Sequence, residues 1–233
     1  MANAVIMASG LGTRMRPLTD TTPKPLIPVR GKPMIETVID ALNAHGVSTL
    51  YVVVGYLKEQ FEYLKTKYDN VEIIENPDYL TVNNISSVYS ARKALRRGAC
   101  YICEADLYVA DVRIFDGTPD RSCYFGKFVG GYSDDWVFDI GADGFITRIG
   151  KGGTDCYNMV GISYFTARDA KTLADKIEKA YAEDGHETLF WDEVADRNLS
   201  ELKLTVSPVP SSAISEIDTV DELNAINEMN GGM

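Results

Sequence analysis

Short apolar runs alternate with amphipathic stretches over the first half of the chain. Val5-Ile6-Met7-Ala8 is apolar at every position and stops at Ser9-Gly10, which predicts a buried first strand. From Pro33 to His45 the apolar residues Met34, Ile35, Val38, Ile39 and Leu42 share one stripe, with Gly46 just beyond, so a helix is expected there. Leu50 to Val54 reads as a strand ending at Gly55, Leu57 to Tyr68 as a helix, and Val71 to Ile74 as a third strand. Ile85, Val88, Tyr89 and Leu95 mark another helix, and Cys100 to Cys103 a fourth strand that ends in Glu104-Ala105-Asp106.

Strand–helix alternation of this kind predicts a doubly wound, mostly parallel, Rossmann-like α/β sheet. Ligands of such sheets collect beyond the carboxyl ends of the strands, where Gly10, Gly55, Asn76 and Asp106 fall. After about residue 110 the pattern changes. Ser122 to Val129, Trp136 to Ile140 and Met159 to Phe165 read as strands joined by Gly- and Asp-rich turns, an additional mixed β section. Helices over Ala167 to Ala182 and Glu187 to Arg197 and a strand over Leu202 to Val206 follow. Thr219 caps a final helix, with Glu222 completing a capping box. No linker or repeat interrupts residues 1–233, so a single domain is expected.

Composition narrows the chemistry. The chain has 233 residues, 45% of them hydrophobic and 24% charged, enough for one large domain with a sizeable core. Its net charge of -11 argues against nucleic acid or an anionic membrane as partner. An acidic protein that handles anionic substrates must rely on local cations, backbone N–H groups or a bound metal. No signal peptide or membrane-spanning run is visible, and no feature fixes an oligomeric state. Cys100-Tyr101-Ile102-Cys103 has CxxC spacing, but strand alternation would send its two thiols to opposite faces. Ordinary buried thiols and a cytoplasmic protein are the expectation. His45, at a helix end, and His186, in a turn, are poorly placed for acid–base work.

Ala8-Ser9-Gly10-Leu11-Gly12-Thr13-Arg14 carries the clearest chemical signal. Two glycines straight after a strand let successive N–H groups point at a phosphate, and Arg14 and Lys24 bring positive charge to the same place. The full Rossmann fingerprint is absent, because there is no third glycine and Pro17 interrupts the helix; the Walker pattern is absent as well.

With Pro17-Leu18-Thr19, Pro23-Lys24-Pro25-Leu26-Ile27-Pro28-Val29 and Gly31-Lys32-Pro33, the run from Val5 to Glu36 resembles the nucleotidyltransferase superfamily that includes sugar-1-phosphate nucleotidyltransferases. The resemblance implies that the Gly10 to Arg14 backbone cradles a triphosphate and that Lys24, aided by Arg14, contacts the reacting phosphates. Asp106, after the fourth strand, matches the family's Mg²⁺ ligand, and Asp218, within Glu216-Ile217-Asp218, matches a second. Taken alone, each aspartate reads better as a turn former or a helix cap. The resemblance also implies a nucleotide-binding half of about 110 residues, with Gly55, Tyr56, Asn76, Asn83 and Ser87 at the nucleotide, and an acceptor-binding half after it.

Asn83-Asn84-Ile85-Ser86-Ser87, Glu104-Ala105-Asp106 and Val54-Gly55-Tyr56-Leu57-Lys58-Glu59-Gln60-Phe61 depart from the sugar enzymes. They are similar to the cytidylyltransferases that activate phosphocholine and the related 2-aminoethylphosphonate cytidylyltransferases, so CTP and an amine-bearing acceptor are implied. A cationic head group calls for aromatic faces and a carboxylate. Trp136, Phe190 and Trp191, with Asp192 and Glu216, are the acceptor-binding candidates, although core packing explains any single aromatic as well. Phe190 stands where a tyrosine is expected in the phosphocholine enzymes, and Thr188 where a carboxylate is. A sugar-1-phosphate nucleotidyltransferase and an inactive nucleotide-binding regulator are the competing readings.

Overall fold

The computed structural model describes residues 1–117 and 119–228. Its elements run β1 (Asn3–Ala8), β2 (Pro28–Val29), β3 (Lys32–Pro33), α1 (Met34–Ala44), β4 (Leu50–Val54), α2 (Leu64–Lys67) and β5 (Val71–Glu75). There follow α3 (Ile85–Ser90), α4 (Arg92–Leu95), β6 (Cys100–Glu104), β7 (Leu107–Val109), β8 (Cys123–Ile140) and β9 (Ile146–Phe165). The chain continues through α5 (Ala167–Tyr181), α6 (Trp191–Asp196), α7 (Leu199–Leu202), β10 (Thr205–Pro208), β11 (Ile214–Glu216) and α8 (Val220–Glu228).

Seven strands form one sheet in the order β10-β8-β9-β6-β1-β4-β5. The stretch β6-β1-β4-β5 is parallel throughout, β9 joins β6 and β8 antiparallel, and β10 joins β8 parallel. Central strands β1 and β4 are buried almost from end to end, as expected for a sheet covered on both faces. On one face lies α1, whose Ile35, Val38, Ile39 and Leu42 have no exposed surface. Each such side chain contributes roughly 1.5–3 kcal/mol of burial. The helix ends as Gly46 predicts. Gly46 takes φ +69°, its N–H donates to Asn43 O, and Val47 N–H donates to Leu42 O, a Schellman closure. Helices α3 to α6 cover the other face through Ile85, Val88, Leu95, Leu173, Ile177 and Val194. Cys103 belongs to the first face and Cys100 to the second, and all four cysteines are buried and unpaired.

Several sequence expectations change in detail. Leu57 to Tyr68 is not one helix: Leu57 sits at φ +47°, and a 3₁₀ turn at Lys58–Phe61 precedes the single turn of α2, with Phe61 and Leu64 anchoring the segment in the core. The two strands expected over Ser122–Val129 and Trp136–Ile140 are one long, bent β8, and β9 begins already at Ile146. Glycines read as turns lie within these strands, Gly131 and Gly152 at φ +82° and +77°, where the pairing register shifts. Only Trp191–Asp196 of the helix expected over Glu187–Arg197 is α-helical, and Leu202 ends α7 rather than opening a strand. The capping box forms as expected: Thr219 N–H donates to Glu222 Oε2 (2.8 Å) and Glu222 N–H to Thr219 Oγ1 (3.2 Å).

Candidate active site

A cavity of about 600 Å³ opens beyond the carboxyl ends of β1 and β6, and residues of both halves line it. Ala8, Ser9, Gly10, Gly12, Thr13, Arg14, Lys24, Asn83 and Ser87 face it from the first half, and Trp136, Phe190, Asp192, Glu216 and Asp218 from the second, with Asp106 between. The loop after β1 owes its shape to Gly12, at φ +62°. A Cβ there would lie 2.8 Å from Lys24 Cβ and 3.0 Å from Thr19 Cγ2. Thr19 Oγ1 donates to Gly12 O (2.9 Å), and Tyr56 OH donates to Thr19 O (2.8 Å).

Other expected residues stand behind the wall. Leu11 does not line the cavity, and Tyr56 braces the loop from behind, its N–H donating to Ser9 O (3.2 Å) and its OH to Thr19 O (2.8 Å). Gly55 makes room for Tyr79, whose Cγ would be 2.6 Å from an added Cβ. Asn76 reaches the cavity through three serine hydroxyls. Trp191, an expected acceptor aromatic, corrects that expectation: it is 3% exposed, stacked on Tyr124 (5.7 Å) and edge-on to Phe165. It follows the N-cap Phe190 into α6, so the helix turns it toward the core and leaves Phe190 at the cavity.

The carboxylates converge through a pairing that the sequence pattern did not reveal. Strand β11 lies antiparallel to β7, with Glu216 opposite Leu107, and Ile217 N–H donates to Asp106 O (3.1 Å). Residues more than a hundred positions apart thereby share one wall. Glu104, Asp106 and Glu216 each offer an oxygen within 4.8 Å of the others. Lys24 Nζ donates to Asp106 Oδ2 (2.5 Å) and Asp218 Oδ1 (2.6 Å), and Arg14 adds a bond to Asp218 (2.6 Å).

Protonation follows this crowding. Burial, reinforced by Asp106 and Glu216, holds the Glu104 carboxyl well above its usual range. Glu216 is pushed up to about 8 by burial and then by Asp106 and Asp218. For Asp218 burial also pulls upward, but Lys24 and Arg14 outweigh it and the net shift is down. Lys24 is raised: burial works against its charge, and Asp106 and Asp218 more than compensate. Hard oxygen donors held together against their own repulsion fit Mg²⁺. The compact oxygen set is Glu104, Asp106 and Glu216, and Asp218, the second ligand expected from the sequence, stands beside Glu216 and shares the Lys24 ammonium with Asp106.

Of the aromatics that line the cavity, Trp136 and Phe190 have centroids 5.4 Å apart and planes at 59°, a corner rather than a sandwich. Asp192 is 4% exposed, accepts from Tyr124 OH (3.0 Å), and is pushed up to about 7 by burial. Sequence reasoning missed Tyr79, Asp135, Lys151 and Met159, which also line the cavity. Lys151 had a readable signal, a cation beside Gly152-Gly153; it pairs across the strands with Trp136 and has no side-chain partner among the described residues.

Residues 4–117 match the MobA-like NTP transferase domain family. The chain is 57% identical to a 2-aminoethylphosphonate cytidylyltransferase of Lancefieldella rimae, over 97% of its own length and 92% of the relative's. It is 35% identical to the solved CTP:phosphocholine cytidylyltransferase of Streptococcus pneumoniae, with a TM-score of 0.89 over 97% of this chain and 98% of that one. A putative glucose-1-phosphate thymidylyltransferase of Bacillus anthracis, 15% identical, shares the fold with a TM-score of 0.79 over 100% of this chain and 98% of that one. The glycine loop, the buried lysine and the converging carboxylates thus stand in a chain similar over nearly its whole length to two cytidylyltransferases, and it belongs to their nucleotidyltransferase family.

Proposed function

We propose that the protein transfers CMP from CTP to 2-aminoethylphosphonate in a Mg²⁺-dependent reaction, as one cytoplasmic catalytic unit. The acceptor end carries the choice of substrate. Trp136 and Phe190 meet at a corner and offer apolar faces to the carbon chain of an acceptor. Asp135 and Asp192 line the same cavity and offer hydrogen-bond acceptors, which suit a primary ammonium with three N–H donors. The relative with 57% identity, a 2-aminoethylphosphonate enzyme, supports the same choice.

Chemistry follows from the parts. Backbone N–H groups of Gly10 to Arg14 receive the β- and γ-phosphates, and Lys24 turns its ammonium to the α-phosphate. Lys151 holds the phosphonate next to Trp136. A phosphonate oxygen, already anionic at neutral pH, attacks the α-phosphorus. The new P–O bond forms as the bond to the β-phosphate breaks, and pyrophosphate departs with the electron pair. No general base is required, and catalysis rests on positioning and charge stabilisation. Mg²⁺, held by Asp106 with Glu104 and Glu216, would supply charge neutralisation at the phosphates. No helix among the described residues is long and apolar enough to cross a membrane, and the four unpaired thiols support a cytoplasmic setting.

Pyrophosphate release with CTP and Mg²⁺, offering 2-aminoethylphosphonate and phosphocholine in parallel, tests the reading. A kcat/KM at least roughly a hundredfold higher for the phosphonate is expected. Preference for phosphocholine would overturn the acceptor assignment. Turnover with a hexose 1-phosphate and with neither amine would favour a sugar-nucleotide enzyme.

A further inference from the structure

Three strand and helix ends bring a closed hydroxyl network to the cavity. Asn76 follows β5, is 2% exposed, and is fixed by its own N–H donating to Val54 O (2.8 Å). Its Oδ1 accepts the Asp78 N–H (3.0 Å), which settles the orientation of the amide. The Nδ2 group therefore points at three serines: Ser86 Oγ at 2.8 Å, Ser9 Oγ at 3.2 Å and Ser87 Oγ at 3.4 Å. Ser9 and Ser87 also bond each other at 2.7 Å.

The hydrogens of this network can be traced one by one. Asn76 spends one on Ser86 and one on the Ser9–Ser87 pair. Ser86 gives its own to the Asn83 carbonyl (2.8 Å). The Ser9–Ser87 bond uses the hydrogen of one partner, whichever that is. The other partner's hydrogen has no acceptor among the described residues. Both serines are buried, 6% and 3% exposed, and both line the cavity. One hydroxyl hydrogen is therefore left to donate into the cavity, while the inward-pointing amide keeps the network rich in donors.

The neighbouring surface suits a base. A Cβ built on Gly55 would lie 2.6 Å from Tyr79 Cγ and 2.9 Å from Ser9 O, so the Tyr79 ring and Ser9 flank the same point. Val82 adds an apolar wall, and Arg14 and Lys24 belong to the phosphate end of the same cavity.

We infer that Asn76 is a positioning residue for base selection: by filling the inner acceptor sites of Ser9 and Ser87, it makes them present a donor to N3 of the pyrimidine. Cytosine N3 carries a lone pair and accepts. Uracil N3 carries a hydrogen and meets the donor head-on, leaving both groups unpaired in a buried site. The inference rests on the nucleotide being CTP and deepens that reading, because it names the atom by which CTP is told from UTP.

Binding without acceptor, by calorimetry, separates this from catalysis. The wild-type protein is titrated with CTP, UTP, 3-deaza-CTP, which lacks the N3 lone pair, and the 2-pyrimidinone triphosphate, which lacks the exocyclic amine but keeps N3. The pyrimidinone compound should bind within a few-fold of CTP, and 3-deaza-CTP and UTP roughly tenfold or more weakly. Equal binding of CTP and 3-deaza-CTP, or loss confined to the pyrimidinone compound, overturns the inference. Asn76→Asp supplies the second arm. A carboxylate has no hydrogens, so it draws the serine hydrogens inward and turns a lone pair toward the cavity. The CTP/UTP affinity ratio should fall by about tenfold or more in the folded variant; an unchanged ratio overturns the inference. If Asn76→Asp does not fold, the wild-type analogue series decides alone. Binding of all four triphosphates with equal affinity would sink the base-selection inference while leaving pyrophosphate release with CTP intact, whereas absent release with every acceptor would sink the catalytic reading instead.

Discussion

Replacing Gly12 by alanine tests whether the loop's shape, rather than its charge, sets the reactive geometry. Two costs separate cleanly. Gly12 lies at φ +62°, and a side chain there costs roughly 1–2 kcal/mol of backbone strain. Its Cβ would also stand 2.8 Å from Lys24 Cβ, where ordinary contact begins near 3.4 Å, so the lysine stem must retreat by about 0.6 Å. A misplacement approaching 1 Å at a reacting group costs on the order of a hundredfold, so kcat/KM should fall roughly ten- to a hundredfold. Gly46→Ala is the matched control: it has φ +69°, nothing within 4 Å of its added Cβ, and lies at the end of α1. Both variants should lose roughly 2–8 °C in Tm, measured by thermal denaturation, while only Gly12→Ala loses turnover in the pyrophosphate assay. A Gly12→Ala enzyme within twofold of wild type, with the same Tm loss as Gly46→Ala, would refute the idea that the glycine positions Lys24.

Two further outcomes follow. Lys151→Met should raise the KM for the acceptor about tenfold or more while changing that for CTP little, as steady-state kinetics with each substrate varied will reveal. Burial lifts Asp192 from the ordinary carboxyl range to about 7. Its folded-state value lies above its unfolded one, so the native state binds the extra proton and stability falls as pH rises through that interval. Asp192→Asn should flatten the decline in Tm between pH 4 and pH 8, and an unchanged slope would contradict it.

The parts written in local periodicity were legible. β1, α1, β4 and β6 follow from runs of apolar residues whose spacing matches their burial, and Gly46 and Thr219 mark ends that form as hydrogen-bonding rules require. The glycine loop after β1 was legible because Gly10, Gly12 and Arg14 fall within five residues. The long β8 and β9 were obscured because glycines inside a bent strand look like the glycines of a turn, and only pairing across the bend tells them apart. Trp191 was misread because its neighbour Phe190 faces the cavity, and nothing local fixes which of two adjacent aromatics a helix start turns inward. Glu216 joins the oxygen set only through the β7–β11 pairing, a contact with no local signature.

That small ribbon makes the site a conjunction. Residues 107–109 and 214–216 must meet before Glu216 reaches Asp106, so a chain whose first half alone has collapsed holds Glu104 and Asp106 without their third member. Arg14 and Lys24 then also lack Asp218. The first half carries the recognisable signature, yet the complete set of charges belongs to the closed chain, and the ribbon acts as a built-in check that no partly assembled molecule can satisfy.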